Sequence, residues 1–220
     1  MSLQLIPSSD GSHTLLSHFY GATYHSRNGA IQESVFVFIN AGLDFLKQQG
    51  VKDFRIFELG FGTGLNCLLS YQYALEHELN IAYTGIDTFP VSRDITKSLN
   101  YGDHLNCLPA FESLTDMPWG TKQNLSPDFS ILKQEISFQE FVAEKAFNLF
   151  YMDAFGPATQ PELWNESSIL KMFDMLENGG VLVTYCAQGQ FKRNLKNAGF
   201  RIESLSGPPG KREMVRAFKN

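Results

Sequence analysis

At 220 residues and 43% hydrophobic content the chain can bury the core of one α/β domain, and it is read as a single domain over residues 1–220. Its three cysteines, Cys67, Cys107 and Cys186, lie far apart, which excludes a C-x-x-C zinc site and the cysteine framework of a small secreted scaffold. The net charge of −5 argues against nucleic acid, but it is polarised: Lys192 to Asn220 carries eight basic and two acidic residues, leaving ten basic and 21 acidic before it. One reading is an anionic partner at one edge; the other is a solvated basic helix face beside an edge strand. The amino terminus MSLQLIPSSDGSH has no basic-then-apolar leader, and no apolar run approaches the roughly 20 residues that span a bilayer, so a cytoplasmic protein with no membrane partner is expected.

In chain order, residues 1–50 read as an appendage holding a possible hairpin and a helix near Ile31 to Gln49. Phe54 to Leu59 is a short apolar strand, Asn66 to Glu78 a helix, and Ile81 to Ile86 a second strand. Residues 88–128, with four prolines, are too long for a simple connection and read as a partly helical insertion over the active face. Strands follow at Phe129 to Leu132, Phe147 to Met152 and Val181 to Tyr185, with helical spacing over Ser167 to Leu176. This alternation predicts a mostly parallel sheet covered on both faces. Phe200 to Leu205 and Met214 to Phe218 are separated by too few residues for a helical crossover and should close the sheet as an antiparallel hairpin.

After the first strand comes ELGFGTGLN, with Gly60, Gly62 and Gly64 alternating. Glycine permits a tight turn and close approach of a ligand to helix amides. The spacing is not that of a dinucleotide site, which would need glycine where Leu65 stands, and no P-loop lysine follows. Glu58 ends the strand and is expected to point a carboxylate into the crevice, repelling a pyrophosphate and favouring a cationic ligand. S-adenosylmethionine carries an ammonium, a sulfonium and a ribose diol, and Asp87 at the next strand end is placed for the ribose hydroxyls. The pattern predicts a class I S-adenosylmethionine-dependent methyltransferase fold: Rossmann-like, seven strands, a terminal antiparallel hairpin. An ordinary α/β protein with a tight turn is the bland alternative.

At the fourth strand end lies Tyr151-Met152-Asp153-Ala154-Phe155-Gly156-Pro157. An acidic residue beside an aromatic one suits transfer to nitrogen: Asp153 would accept hydrogens from an amine while Phe155 packs beside it. The alternative is a strand-end Asp capping a Gly-Pro turn. Trp164 and Phe155 are candidates for stacking on a nucleobase, against a plain core role for Trp164. Tyr24 and Glu33 are candidates for the cofactor entrance, although Glu33 at a helix start also suits the helix dipole. After the third strand, Glu135 or Gln134 is the candidate for the adenine amine. Lys211 and Arg212 at the hairpin tip are the phosphate candidates, with solvated side chains as the alternative. No metal ligand set is evident.

Beyond these local signals, the chain resembles the methyltransferase domain of the MnmC family of tRNA-modifying enzymes. The resemblance rests on Glu33 to Phe38, Glu58 to Asn66, Asp87 to Pro90, Asp153 to Trp164 (DAFGPATQPELW), Gly179-Gly180, Phe191-Lys192-Arg193 to Gly199-Phe200, and Gly210 to Met214 (GKREM). These blocks span nearly the whole chain. The resemblance implies methyl transfer from S-adenosylmethionine to the amine of 5-aminomethyluridine, with or without 2-thiolation, at the tRNA wobble position, with the anticodon arm as partner and Lys192, Arg193, Lys211 and Arg212 near RNA. It further implies a stand-alone form, without the flavin-dependent oxidase domain, that depends on upstream enzymes for the aminomethyl intermediate. Two other readings remain open: a small-molecule amine methyltransferase, and a noncatalytic RNA-binding protein with a relict pocket.

Overall fold

The computed structural model describes residues 2–143 and 146–220. Leu3–Pro7 (β1), His13–Ser17 (β2) and Ala22–Thr23 (β3) form a small antiparallel sheet in the order β1-β2-β3. A helix follows in three stretches: Ala30–Ser34 (α1), the wider π-helical Val35–Asp44, and Phe45–Gln48 (α2).

The main sheet then begins with Asp53–Leu59 (β4), the helix Leu65–His77 (α3) and Asn80–Asp87 (β5). Between β5 and the next central strand lie Arg93–Lys97 (α4), Tyr101–His104 (α5), Leu108–Asp116 (α6) and Gln123–Ser126 (β6). Phe129–Glu135 (β7), Phe147–Met152 (β8), Glu166–Met175 (α7), Leu176–Thr184 (β9), Gly189–Asn197 (α8), Arg201–Ser206 (β10) and Glu213–Phe218 (β11) complete the chain. The strand order is β10-β11-β9-β8-β4-β5-β7-β6. β7, β5, β4, β8 and β9 are parallel, while β11 pairs antiparallel with both β9 and β10.

Among the described residues the main sheet has eight strands where seven were expected. The extra one, β6, pairs antiparallel with β7 at the sheet edge; its sequence Gln-Asn-Leu-Ser lacks the apolar alternation that marks a strand, and neighbouring β7 supplies its bonds.

Period-two alternation divides the core into two layers. Phe54 and Ile56 of β4 pack with Leu65, Leu68 and Tyr83 on the face covered by α3 and the N-terminal helix. Phe57 and Leu59 pack on the opposite face with Phe138, Phe150, Ile169 and Leu195. The same alternation fixes Glu58 on the α3 face, with Phe54 and Ile56. Parallel strands covered on both sides leave their carboxyl ends as the open crevice, the place where α/β sheets bind ligands.

Candidate functional site

A cavity of about 530 Å³ opens over the ends of β4, β5 and β8, within the size range of small-molecule sites. Its wall includes Gly60, Gly62, Asp87, Asp153 and Phe155 from the sheet, Tyr24 and Glu33 from the N-terminal segment, and Lys211 from the hairpin tip. The structure therefore gathers eight of the sequence candidates around one space. Glu58, Gly64, Glu135, Trp164, Lys192, Arg193 and Arg212 are not on its wall.

The glycine turn explains itself by what surrounds it. Gly60, Gly62 and Gly64 have φ of +90°, +53° and +77°, a region costly for residues with a Cβ. A Cβ on Gly60 would lie 2.8 Å from the carbonyl oxygen of Asp153, one on Gly62 3.1 Å from the Tyr24 ring, and one on Gly64 3.2 Å from the Phe61 ring. The alternating glycines thus clear space for the protein's own Asp153 loop and two aromatic rings. The amides of Gly60 and Phe61 donate to the Ile86 carbonyl at 3.1 and 3.0 Å, tying the turn to β5.

Asp87 completes that tie: its Oδ2 accepts the Gly62 N–H and its Oδ1 the Phe89 N–H, both at 2.9 Å. Each carboxylate oxygen has more than one acceptor direction, so both retain capacity for hydroxyl groups from the cavity. Burial raises the Asp87 pKa, partly offset by these two N–H donors.

Glu58 corrects the sequence expectation. Its carboxylate does not face the crevice; it is 1% exposed, with Oε1 accepting from Asn66 Nδ2 and Oε2 from the Tyr83 hydroxyl, both at 2.8 Å. Strand alternation is the reason, since it turns Glu58 beneath the turn toward α3. The same Asn66 Nδ2 also donates to Asp153 Oδ2 at 2.8 Å, so Glu58 reaches the cavity through Asn66. Burial drives the Asp153 carboxyl well above the ordinary range, and the charge of Glu33 adds to this; the Asn66 bond and the Lys211 charge pull the other way.

For Trp164 the structure favours the core reading over base stacking. It is 4% exposed, packs edge-on against Phe191 and donates its indole N–H to the Phe155 carbonyl at 2.7 Å, so it offers no face to a base. It holds the loop that carries Phe155. The Phe155 ring meets Tyr20 at 4.5 Å and Tyr24 at 5.1 Å, and Tyr20 meets Phe19, which is 68% exposed. This aromatic row from cavity to solvent was missed because Phe19 and Tyr20 sit in a turn with no catalytic spacing. His25, another missed wall residue, is fully buried with its pKa lowered to about 4 by desolvation, and its Nε2 lies 2.9 Å from Thr63 Oγ1.

The basic candidates divide. Lys211 turns inward: its ammonium lies 2.7 Å from Glu33 Oε1 and 3.6 Å from the centre of the Tyr185 ring. Lys192 is paired with Glu213 at 2.6 Å. Arg193 and Arg212 are exposed. Glu135 is exposed at the end of β7, in register with Asp87.

A family model described as S-adenosyl-L-methionine-dependent methyltransferase matches residues 129–220. The solved structure of MnmC2 from Aquifex aeolicus superimposes with a TM-score of 0.79 at 23% identity, covering 100% of this chain and 71% of that one. The fold is that of the S-adenosylmethionine-dependent methyltransferases. A second solved methyltransferase, the amino pentose enzyme CalS10 from Micromonospora echinaspora with S-adenosylmethionine bound, gives a TM-score of 0.52 at 10% identity, covering 88% of this chain and 93% of that one. Among curated proteins, the chain is similar to the tRNA 5-methylaminomethyl-2-thiouridine biosynthesis bifunctional proteins MnmC of Aromatoleum aromaticum and Leptospira interrogans. Each is 28% identical over 92% of this chain. The chain spans about a third of the length of these relatives, 33% in both cases.

The cavity suits the methyltransferase cofactor by its donor set. The Asp87 carboxyl oxygens, with free acceptor capacity, fit a ribose diol, carboxyl groups fit a cationic sulfonium ligand, and no lysine stands on the turn to bind a pyrophosphate. Among the described residues no group of three or more His, Cys, Asp or Glu side chains is placed to hold a metal, and no helix is long and apolar enough to cross a membrane.

Proposed function

We propose that this chain methylates the primary amine of 5-aminomethyluridine, with or without 2-thiolation, at the wobble position of tRNA. The single observation that carries the proposal is the Asp153 carboxyl. It stands on the cavity wall beside Gly60, aimed by Asn66, with an affinity for protons well above that of an ordinary carboxylate. The MnmC relatives, named for biosynthesis of 5-methylaminomethyl-2-thiouridine in tRNA, support the choice of substrate.

Bound S-adenosylmethionine supplies an electrophilic methyl group on sulfur. In the proposed arrangement Asp87 holds the ribose hydroxyls, while Gly60 and Gly62 let the turn pack against the Asp153 loop and Tyr24 and so shape the cofactor's wall. A substrate amine arrives largely as an ammonium at neutral pH. Asp153 attracts that charge, takes up the proton and leaves the nitrogen lone pair directed at the methyl carbon, so positioning and one proton transfer carry the reaction. Held by these residues, S-adenosylmethionine would give its methyl group to the nitrogen and leave as the neutral thioether. Phe155 packs beside the amine, while Phe19 and Tyr20 offer faces to unpaired anticodon bases. Arg193 and Arg212 meet the phosphates of the anticodon arm. Upstream enzymes would provide the aminomethyl group.

The test is mass spectrometry of nucleosides from tRNA bearing 5-aminomethyluridine after incubation with the protein and S-adenosylmethionine. A gain of one methyl on that nucleoside is expected. Methylation of free small amines with none on tRNA would instead establish a small-molecule enzyme, and tRNA binding without transfer a noncatalytic one.

A further inference from the structure

The inward turn of Lys211 is not explained by a phosphate contact, and it places a primary ammonium inside the cavity that holds Asp153. We propose that Glu33, Tyr185 and Asp153 form a seat for a primary alkylammonium, filled here by the chain's own Lys211 and taken over by the aminomethyl group of the substrate. The proposal rests on the tRNA-amine reading above and adds an intramolecular competitor to it.

Three observations carry it. First, the lining has the chemistry of a cation site: a carboxylate oxygen at 2.7 Å, an aromatic face at 3.6 Å, and Asp153 on the same wall. Second, the fixed parts of the seat are held by bonds that do not involve Lys211. Glu33 is 7% exposed and its Oε2 accepts the Ser26 N–H at 2.8 Å; the Tyr185 hydroxyl donates to the Ala154 carbonyl at 2.8 Å; Asp153 is held by Asn66. The seat is therefore built before any occupant arrives. Third, the occupant rides on a different kind of structure. Lys211 follows Gly207-Pro208-Pro209-Gly210, where Gly210 has φ +86°, and this turn meets the N-terminal segment through the long 3.4 Å bond from Asn28 Nδ2 to the Pro209 carbonyl. A cation beside the exposed Pro209-Gly210 tip of a turn, above an anionic and aromatic wall, is an exchangeable occupant. Lys211 and the substrate amine are both primary alkylammonium ions, so the groups that hold one recognise the other.

The exchange has a use in selection. A bare amine must displace a tethered lysine to enter, whereas tRNA brings additional contacts that offset the displacement. An enzyme with an occupied seat favours macromolecular substrate over free amines of the same chemistry.

The probe is the nucleoside 5-aminomethyluridine, which has no phosphate, measured by calorimetry against the full chain saturated with S-adenosylhomocysteine. Lys211→Met should bind the nucleoside about tenfold more tightly than the parent, because removing an internal competitor raises the fraction of protein able to bind. Lys211→Arg, which refills the seat, should bind as weakly as the parent. Glu33→Gln placed on Lys211→Met should abolish the gain. Equal or weaker nucleoside binding by Lys211→Met, in a protein whose melting temperature is unchanged, overturns the seat. Methylation of tRNA by the parent, measured alongside, separates the two ideas: present with no gain in Lys211→Met, it leaves the proposed function standing and removes the competitor. Absence of both tRNA methylation and nucleoside binding in every form removes the function and the seat together.

Discussion

At one end of the cavity the turn amides of Gly60 and Gly62 donate to the Ile86 carbonyl and the Asp87 carboxylate of the adjacent strand end; at the other, Glu33, Tyr185 and Lys211 come from three distant segments and meet through their side chains alone. The first end is specified locally. Three residues with positive φ, an aspartate accepting a turn amide and a helix start must occur together, and all of it lies within residues 58 to 89. The second end exists only once the sheet has assembled and the N-terminal segment has folded over it. We assign the glycine end to the cofactor and the other to the amine, and the difference between them can be tested by perturbing each alone.

The largest effect is expected at the glycine end. Gly62→Val places a branched side chain at φ +53° with its Cβ 3.1 Å from Tyr24, so S-adenosylmethionine binding should be lost in a protein that remains folded with a lower melting temperature. Calorimetry on the folded variant giving parental affinity would refute the assignment of that end.

His25 lies between the two ends and responds to pH. Its pKa is about 4 in the folded protein against an ordinary 6.5, because burial disfavours the imidazolium; Lys211 adds to this, while Glu33 and Asp10 oppose it. Between those values the unfolded chain binds the proton and the folded one does not, so this group removes stability as pH falls from 6.5 to about 4. The full difference is on the order of 3 kcal/mol. His25→Gln should flatten the stability curve in that window, which denaturant titrations at pH 7 and pH 4.5 will show; parallel curves would mean the ring is not held neutral.

Asp87→Ala should weaken S-adenosylmethionine binding by roughly 1.5–3 kcal/mol, the range of charge-assisted bonds, with little effect on tRNA affinity. A change confined to tRNA binding would exchange the roles of the two ends. The smallest effect is sought outside the cavity. Arg193→Ala with Arg212→Ala should make the slope of log affinity for tRNA against log salt shallower by about one to two units. An unaltered slope would leave these two cations as solvated surface and move RNA docking elsewhere.

The legibility of the molecule follows the same division. The strands at Phe54 to Leu59 and Phe147 to Met152 and the closing hairpin were readable because buried parallel strands are mostly apolar, interrupted here by Arg55, Glu58 and Asn148, and short turns forbid crossovers. The place of Gly60, Gly62, Asp87 and Asp153 on the cavity wall was readable because each follows or ends a strand, where a parallel sheet opens its crevice. Strand β6 was not, since polar Gln123 and Asn124 are paired only by their neighbour. Glu58 is legible as a residue, but its side chain follows the two-residue alternation of β4 away from the crevice and under the turn, to Asn66 and Tyr83. The Lys211 pairing with Glu33 leaves no local trace at all; charge count along the chain read Lys211 as a phosphate contact, and only packing against Tyr185 turns it inward.

The account depends most on Asp153, where the two ends meet. In Asp153→Asn the amide keeps the shape and the neighbourhood of Asn66 but loses the charge and the capacity to take a proton. The decisive measurement pairs S-adenosylmethionine affinity with single-turnover methyl transfer to tRNA across pH 6 to 9. The account predicts affinity within a few-fold of the parent, transfer slower by about 10²-fold or more at neutral pH, and partial recovery as pH rises and more of the substrate amine is already neutral. Transfer at the parental rate throughout that range would show Asp153 to be a turn cap and would contradict the account.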